Sequence, residues 1–354
     1  MQQARALCRV LNVLEAFQQN LHALCPDWRD KRFIVAFSGG LDSTALLRLM
    51  SMSLPGGHLA AAHLNHLIRA EAANDQIFAA RTCQELGLHF ITESLNVPSL
   101  AQSRRRGLEE AARFARYEFF RRAVQSWPAD FVVTAHQADD QAETILMHLI
   151  KGTGGGGLAG IPPRRSFRIR ADESRPAAEI LRPLLPFSRT RLQAWLREHS
   201  FPWVTDESNN DDHYLRNAIR LDVLPRLKEL NPRILEAIGR ASSIMRNEEE
   251  FWEARLAALW RDMVDEPADG PRLSIERQKL ETLTIAEKRR LIYEFFTKIR
   301  AYRPGLPEPL SLAGVDTVLA MLAQDRHRGL DLPGGLRAEL EPKRLILSLA
   351  SRFR

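Results

Sequence analysis

Cysteine is scarce in this chain. Its three cysteines, Cys8, Cys25 and Cys83, lie far apart in 354 residues. No CxxC pair exists, so a structural zinc or thiolate cluster has no support, and the chain reads as reduced and intracellular. Long apolar runs are missing as well. No stretch approaches the ~20 residues that span a bilayer. Asn12 and Glu15 interrupt Val10 to Phe17 before a signal-peptide core can build up. A cytoplasmic protein with no membrane partner is expected. Neither sign of charge dominates: the formal net charge of +6 permits nucleic acid without requiring it. Lysine is absent from the first glycine loop, which excludes the lysine-bearing P-loop. The third glycine of a dinucleotide fingerprint is absent too. No internal repeat is visible.

What is there begins at Arg32. Ile34 to Phe37 form a short apolar run of the kind a parallel strand buries on both faces. Ser38-Gly39-Gly40-Leu41-Asp42-Ser43 follows, then the apolar helix Ala45 to Met50. Glycines let backbone N–H groups approach a ligand closely. A helix start behind such a turn attracts phosphate, because unpaired N–H groups and the dipole act together.

A second strand, Leu59 to Leu64, runs into His63, Asn65, His66 and Arg69. In open α/β sheets ligands bind beyond the carboxyl ends of strands, so this cluster should lie beside the glycine loop. A single His there would be structural; the group favours nucleotide or substrate contact. Asp75 to Gly87 reads as a helix, His89 to Glu93 as a strand, and Ser103 to Gly107 as a basic flexible loop. In the next helix Glu109, Arg113 and Arg116 share a face. On spacing alone a surface salt-bridge ladder is the favoured explanation. Asp130 to His136 is a fourth strand feeding a helix that starts at Gln137. His136, Asp140 and Glu143 fall on about one face. First-turn acids commonly serve the helix dipole, but these acids with a His exceed that need. They can hold Mg²⁺ against phosphates or bind an ammonium and take its proton.

Lys151 to Gly160 is glycine-rich and reads as a lid or substrate loop; Arg164 to Arg175 is polar and basic; Ile180 to Leu185 is a short strand and Arg189 to His199 a helix. Arg216 and Arg220 stand one turn apart, either as a fork for phosphate or within an Asp–Arg network. After Pro232 the character changes. Residues 233–262 and 274–302 read as helices, followed by a helix over Leu312–Ala323, a turn at Pro333-Gly334-Gly335, and hairpin strands Leu336–Leu340 and Arg344–Leu349. The expected fold is therefore α/β: a Rossmann-like parallel sheet with helices on both faces over 1–230, then a mainly helical domain over 231–354 with a small β-hairpin tail.

In order, these motifs resemble the tRNA(Ile)-lysidine synthetases, a bacterial family of pyrophosphate-loop ATP pyrophosphatases. The matching stretches are Ser38–Ser43, His63–Arg69, Glu109–Tyr117, Thr134–Thr144, Lys151–Ile161, Arg182-Pro183-Leu184 and Asp206–Arg220 with Val223-Leu224-Pro225. The resemblance implies ATP and Mg²⁺ as cofactors and a tRNA(Ile) with a CAU anticodon as substrate. ATP would adenylate the wobble cytidine, and the ε-amine of free L-lysine would displace AMP. The anticodon would then read AUA in place of AUG. On this resemblance ATP is held by Ser38, Gly39, Gly40, Leu41, Asp42, Ser43, His63 and His136. Catalysis falls to Asp42, Asp140, Glu143 and Arg113. The tRNA or substrate is met by Arg69, Lys151, Arg216 and Arg220, with Mg²⁺ on Asp42. The residues after 231 would bind tRNA, and a homodimer is implied.

Three readings compete. An amidating synthetase for a small metabolite would share the loop but usually add an ammonia-source domain, which the sequence does not show. A tRNA thiolase of the same superfamily would carry sulfur on cysteines, and none of the three stands near a motif. A nucleotide- or RNA-binding module without catalysis would not require Asp140 and Glu143 at the pocket.

Overall fold

The computed structural model describes residues 13–67, 72–104, 107–166, 178–205, 214–266, 272–301, 312–323, 328–333 and 335–350. Several residues singled out from the sequence lie outside these ranges: Cys8, Arg69, Arg105, Arg106, 167–175, 206–213 and Gly334. The chain divides into two compact units, Met1–Arg246 and Asn247–Arg354.

The first unit is built on a six-stranded sheet in the order β3-β2-β1-β4-β6-β5. Its elements run α1 (Val13–Leu24), β1 (Phe33–Ala36), α2 (Leu41–Ser53), β2 (Leu59–Asn65), α3 (Ala72–Glu85), β3 (His89–Ser94), α4 (Val97–Arg104), α5 (Leu108–Ser126) and β4 (Phe131–Val133). They continue as α6 (Ala138–Lys151), α7 (Gly155–Leu158), β5 (Arg164–Ser166), β6 (Glu179–Leu181), α8 (Arg189–Glu198), α9 (Tyr214–Ala218) and α10 (Leu224–Leu230). All neighbours pair parallel except β5, which runs antiparallel to β6. Alternation along β1 sends Phe33 and Val35 to one face and Ile34 to the other. Phe33 and Val35 join Phe17, Leu46, Leu49, Leu192 and Trp195 in one core. Ile34 joins Phe119, Phe120 and Ala123 of α5 in another. Both faces of the sheet are thus covered, as a parallel sheet requires.

Sequence order reverses where β2 and β4 flank β1. A crevice opens at such a switch point beyond the strands' carboxyl ends. The turns after β1, β2 and β4 all meet there.

Two local expectations need correction. Arg104, read as part of a loop, closes the helix α4, whose second residue is Pro98 with its preset φ; its guanidinium lies 4.1 Å from the Phe114 ring centroid. The helix expected over 274–302 opens instead as a strand, Arg272–Glu276, and the remainder divides into two helices, Arg277–Glu281 and Ile285–Ala301.

The second unit begins within α11 (Ile234–Met263), which starts in the first. It continues with β7 (Val264–Asp265), β8 (Arg272–Glu276), α12 (Arg277–Glu281), α13 (Ile285–Ala301), α14 (Leu312–Ala323), β9 (Arg328–Leu332), β10 (Leu336–Leu340) and β11 (Arg344–Leu349). The hairpin β10–β11 pairs Leu336 with Leu349 and Leu340 with Leu345. It sits inside a five-stranded antiparallel sheet, β7-β8-β11-β10-β9. Leu336, Ala338 and Leu340 face a core completed by Phe295, Phe296 and Ile299 of α13 and Val315 and Val318 of α14.

Candidate active site

The glycine turn is held from three sides. Gly39 has φ +88, a left-handed conformation that favours glycine, and a Cβ there would stand 3.2 Å from the Phe78 ring. Val204 donates its N–H to the Gly39 carbonyl at 2.9 Å, and Thr44 Oγ1 donates to the same oxygen at 3.1 Å. Ser38 Oγ and Ser43 Oγ are 3.0 Å apart, and Ser43 Oγ donates to the Gly40 carbonyl at 3.0 Å. Gly40 is the N-cap of α2 and offers no side-chain cap. The first N–H groups of α2 therefore point into the crevice available to an anion. Leu41 is buried beneath them.

His63, at the end of β2, is buried and donates Nδ1–H to the Phe37 carbonyl at 2.9 Å. It ties β2 to the residue preceding Ser38. Burial holds its pKa below the ordinary value. His66 carries a buried Nδ1 without a hydrogen-bond partner among the described residues. Burial first, then Arg116 and His63, push it down to about 4. The next residue, Leu67, is left-handed at φ 52 and is fixed by donation of its N–H to Asn65 Oδ1 at 2.9 Å. Strain of this kind gathers at functional sites.

Beyond β4, Gln137 caps α6 reciprocally. Its side chain accepts from the Asp139 N–H at 2.6 Å, and its own N–H donates to Asp140 Oδ2 at 3.0 Å. Capping thus occupies one oxygen of Asp140. The other accepts from Arg216 Nη2 at 3.2 Å, and Arg216 Nε donates to Glu143 Oε2 at 2.8 Å. One guanidinium spans both acids. Burial is the main reason the Asp140 carboxyl is held above its ordinary pKa, with Glu143 adding to the effect. His136 hydrogen-bonds Thr134 Oγ1 through Nδ1 at 3.0 Å. Burial, then the charges of Arg182, Arg116, Arg216 and Arg113, push it down to about 3. It is a neutral imidazole ringed by guanidinium groups. Arg113 stacks 5.2 Å from the Tyr117 ring centroid, and its Nη2 donates to the Tyr117 hydroxyl at 3.4 Å.

Asp42 joins the two halves of the site. Its Oδ2 accepts from Arg189 Nη1 at 2.7 Å, and the Arg189 N–H donates to Asp139 Oδ2 at 2.9 Å. Lys228 Nζ takes the other oxygen of Asp139 at 2.6 Å. Asp42 Oδ1 is buried and unpartnered among the described residues. Burial pushes the Asp42 carboxyl up to about 6; Asp140 and Asp139 work in the same direction, and Arg189 and Arg220 against it. A divalent cation fits here as a guest of one carboxylate, since Mg²⁺ commonly keeps waters and substrate phosphates as its other ligands. Among the described residues no group of three His, Cys, Asp or Glu side chains forms an all-protein metal site.

Of the residues singled out from sequence, Ser38 to Ser43, His63, His136, Asp140, Glu143, Arg113 and Arg216 meet at the ends of β1, β2 and β4. Arg220 is exposed on a wide turn, Ile219–Val223, whose Leu224 N–H reaches the Ile219 carbonyl five residues back. Pro225 comes next, with no N–H and a ring that would crowd the carbonyl four residues earlier. Lys151 is exposed at the far end of α6, about 16 Å along the axis from Asp140 at 1.5 Å per residue. Arg189 and Lys228 were not singled out. Their partners lie 147 and 89 residues away, so no local spacing announces them.

The glycine run follows the site helix and is tied back to it. Gly155–Leu158 forms the single turn α7, and His148 Nδ1 donates to the Gly157 carbonyl at 2.8 Å. Gln141, beside Asp140, accepts from the Ile161 N–H at 2.6 Å and donates to Ser242 Oγ at 2.6 Å. Ser242 donates to the Ala159 carbonyl at 2.7 Å, and Arg246 donates to the same oxygen at 2.8 Å. Gly160 has φ +62, and a Cβ there would meet the Gln141 amide at 2.8 Å. The two described cysteines are buried, Cys25 pushed up to about 11 and Cys83 to about 12, chiefly by desolvation. Thiols held so far above neutrality are poor sulfur carriers.

A parallel sheet with an uncapped Gly-Gly helix start at its switch point defines a pyrophosphate-loop nucleotide domain. The PP-loop domain family matches residues 13–227, more than half of the chain, and the chain belongs to that family. More particularly, it is similar to the tRNA(Ile)-lysidine synthase of Geobacillus kaustophilus, 32% identical over 315 residues, covering 86% of this chain and 64% of that protein. The enzyme of the same name from Enterococcus faecalis is 36% identical over 251 residues, 70% of this chain and 52% of that one. The bifunctional protein TilS/HprT of Listeria monocytogenes serovar 1/2a is 37% identical over 232 residues, 65% of this chain and 35% of that one. The chain thus spans between about a third and two thirds of the length of these relatives. Among solved structures, the U34-tRNA thiolase NcsA from Methanococcus maripaludis shares the fold, with a TM-score of 0.55 at 16% identity, over 68% of this chain and 80% of that chain.

Proposed function

We propose that this chain is a tRNA(Ile)-lysidine synthetase, using ATP to adenylate the wobble cytidine of a CAU anticodon and joining free lysine to it through the ε-amine. One observation carries the reading: a carboxylate pair, Asp140 and Glu143, held by Arg216 and linked through Asp139 and Arg189 to the Asp42 of the glycine loop. The similarity to lysidine synthases supports it.

The chemistry asks for both halves. Cytosine's amide-like carbonyl is a poor electrophile, so its oxygen must become a leaving group. The loop amides and the Ser38 and Ser43 hydroxyls grip the departing pyrophosphate where negative charge develops. Mg²⁺ on Asp42 would neutralise that charge when bound. Neutral His136 lines the adenylate side and offers hydrogen bonds without adding a cation. Lysine must attack as a free amine. Asp140 and Glu143 bind its ammonium and take the proton, and Arg113 stands near its carboxylate. The target base leaves its stack to enter, which suits an unpaired anticodon loop. Residues 231–354 bind the tRNA, and the working form is a homodimer.

ATP–pyrophosphate exchange that depends on CAU-anticodon tRNA, followed by labelled-lysine uptake, tests the proposal. Asp140→Ala and Glu143→Ala should each lower lysine incorporation at least ~100-fold while ATP still binds. Wild-type incorporation by both variants would overturn the assignment. Exchange without lysine uptake would point to another nucleophile, and no ATP turnover to a binding module.

A further inference from the structure

We propose that Arg189 is a pyrophosphate-binding residue, its guanidinium shared between Asp42 and the β- and γ-phosphates of ATP; this rests on the ATP-pyrophosphatase reading of the glycine loop. The starting point is an ion pair that leaves both partners half used. Arg189 Nη1 engages one oxygen of Asp42 at 2.7 Å. The other oxygen is buried without a partner among the described residues. A guanidinium has five N–H donors in a planar fork, and Asp42 is the one side chain Arg189 reaches among the described residues. Its side chain is 42% exposed, so the free edge is open to a ligand. A pair built only for stability would have satisfied Asp42 with both arms, the strongest carboxylate geometry.

The backbone beneath Arg189 is fixed. Its N–H is held by Asp139, and Ser188 caps the helix by accepting from the Arg191 N–H at 3.3 Å. The side chain therefore extends from a rigid base to the second residue of α2, next to the uncapped amides at Gly40. An acid with a spare oxygen and a base with spare donors stand side by side at the loop. That arrangement suits a diphosphate accompanied by a divalent cation: the acid faces the cation, the base faces the anion, and planar forks favour phosphate oxygens.

Calorimetric titration of inorganic pyrophosphate with Mg²⁺, and separately of AMP, into the full chain tests this. Arg189→Met should weaken pyrophosphate binding by about tenfold or more, with AMP affinity kept within about twofold. Arg189→Lys, which keeps a charge without the fork, should fall between. Unchanged pyrophosphate affinity in Arg189→Met would overturn the proposal. So would equal losses for pyrophosphate and AMP, which mark a purely structural support. If Arg189→Met does not fold, Arg189→Lys decides by the same contrast between the two ligands. A wild-type chain that binds neither ligand would instead remove the ATP-pyrophosphatase reading on which this rests.

Discussion

At the scale of single residues, the site is a set of charges kept in unusual states. Asp42 is the clearest. Its folded pKa of about 6 stands above the ordinary 3.8, so the folded chain holds a proton there that the unfolded chain has lost. Folding is therefore penalised as pH rises from the unfolded value through 6, and the full penalty applies above 6. Asp42→Asn should stabilise the protein by ~1–3 kcal/mol at pH 8, with the gain fading towards pH 4. Thermal melts of both proteins at several pH values check this; a constant difference would refute it. The same change should abolish cation-supported ATP binding, a trade of stability for function.

At the scale of elements, α6 is tied to the loop at 159–161 through Gln141, Ser242 and Arg246. Gln141→Ala would leave the Ile161 N–H without its acceptor, at a cost of ~1–3 kcal/mol, while the Ser242 hydroxyl keeps the Ala159 carbonyl and Arg246. Ser242→Ala should cost less, and the double variant less than the sum, with a coupling of ~0.5–3 kcal/mol in denaturant titrations. Additive losses would mean the contacts act independently.

Legibility from sequence also sorts at this scale. Local signals gave β1 with its loop, the start of α6, α14 and both hairpin strands, because period, glycine and first-turn residues all act within a few positions. Long-range pairings were not legible. Strand β8 is five residues flanked by a helix, and its strand character comes from pairing with β11, about 70 residues on. Arg216 reads equally as a phosphate fork or an acid partner until the fold brings Glu143 to it. Arg189 and Lys228 sit on ordinary amphipathic helices, where an arginine or lysine on the polar face carries no local mark.

At the scale of the whole molecule there are two units: the first has cores around Phe33, Trp195 and Leu46 and around Ile34 and Phe119, the second a core around Phe295, Leu347 and Val318. Scanning calorimetry of the full chain should resolve two transitions. ATP with Mg²⁺ should raise only the first, by ~2.7 kcal/mol at a hundredfold excess over Kd. A shift of both together would mean that the units unfold as one.

The wide turn at Ile219–Val223 is, in effect, one surplus residue threaded into a rod. Excising a single position there would tighten the spiral and swivel α9 by about 100° against α10. Arg216 would be carried off Asp140 and Glu143 with no change to its own identity. Such a shortened chain should be as impaired in lysine uptake as one lacking Arg216, whereas its far-ultraviolet dichroism should be unaltered.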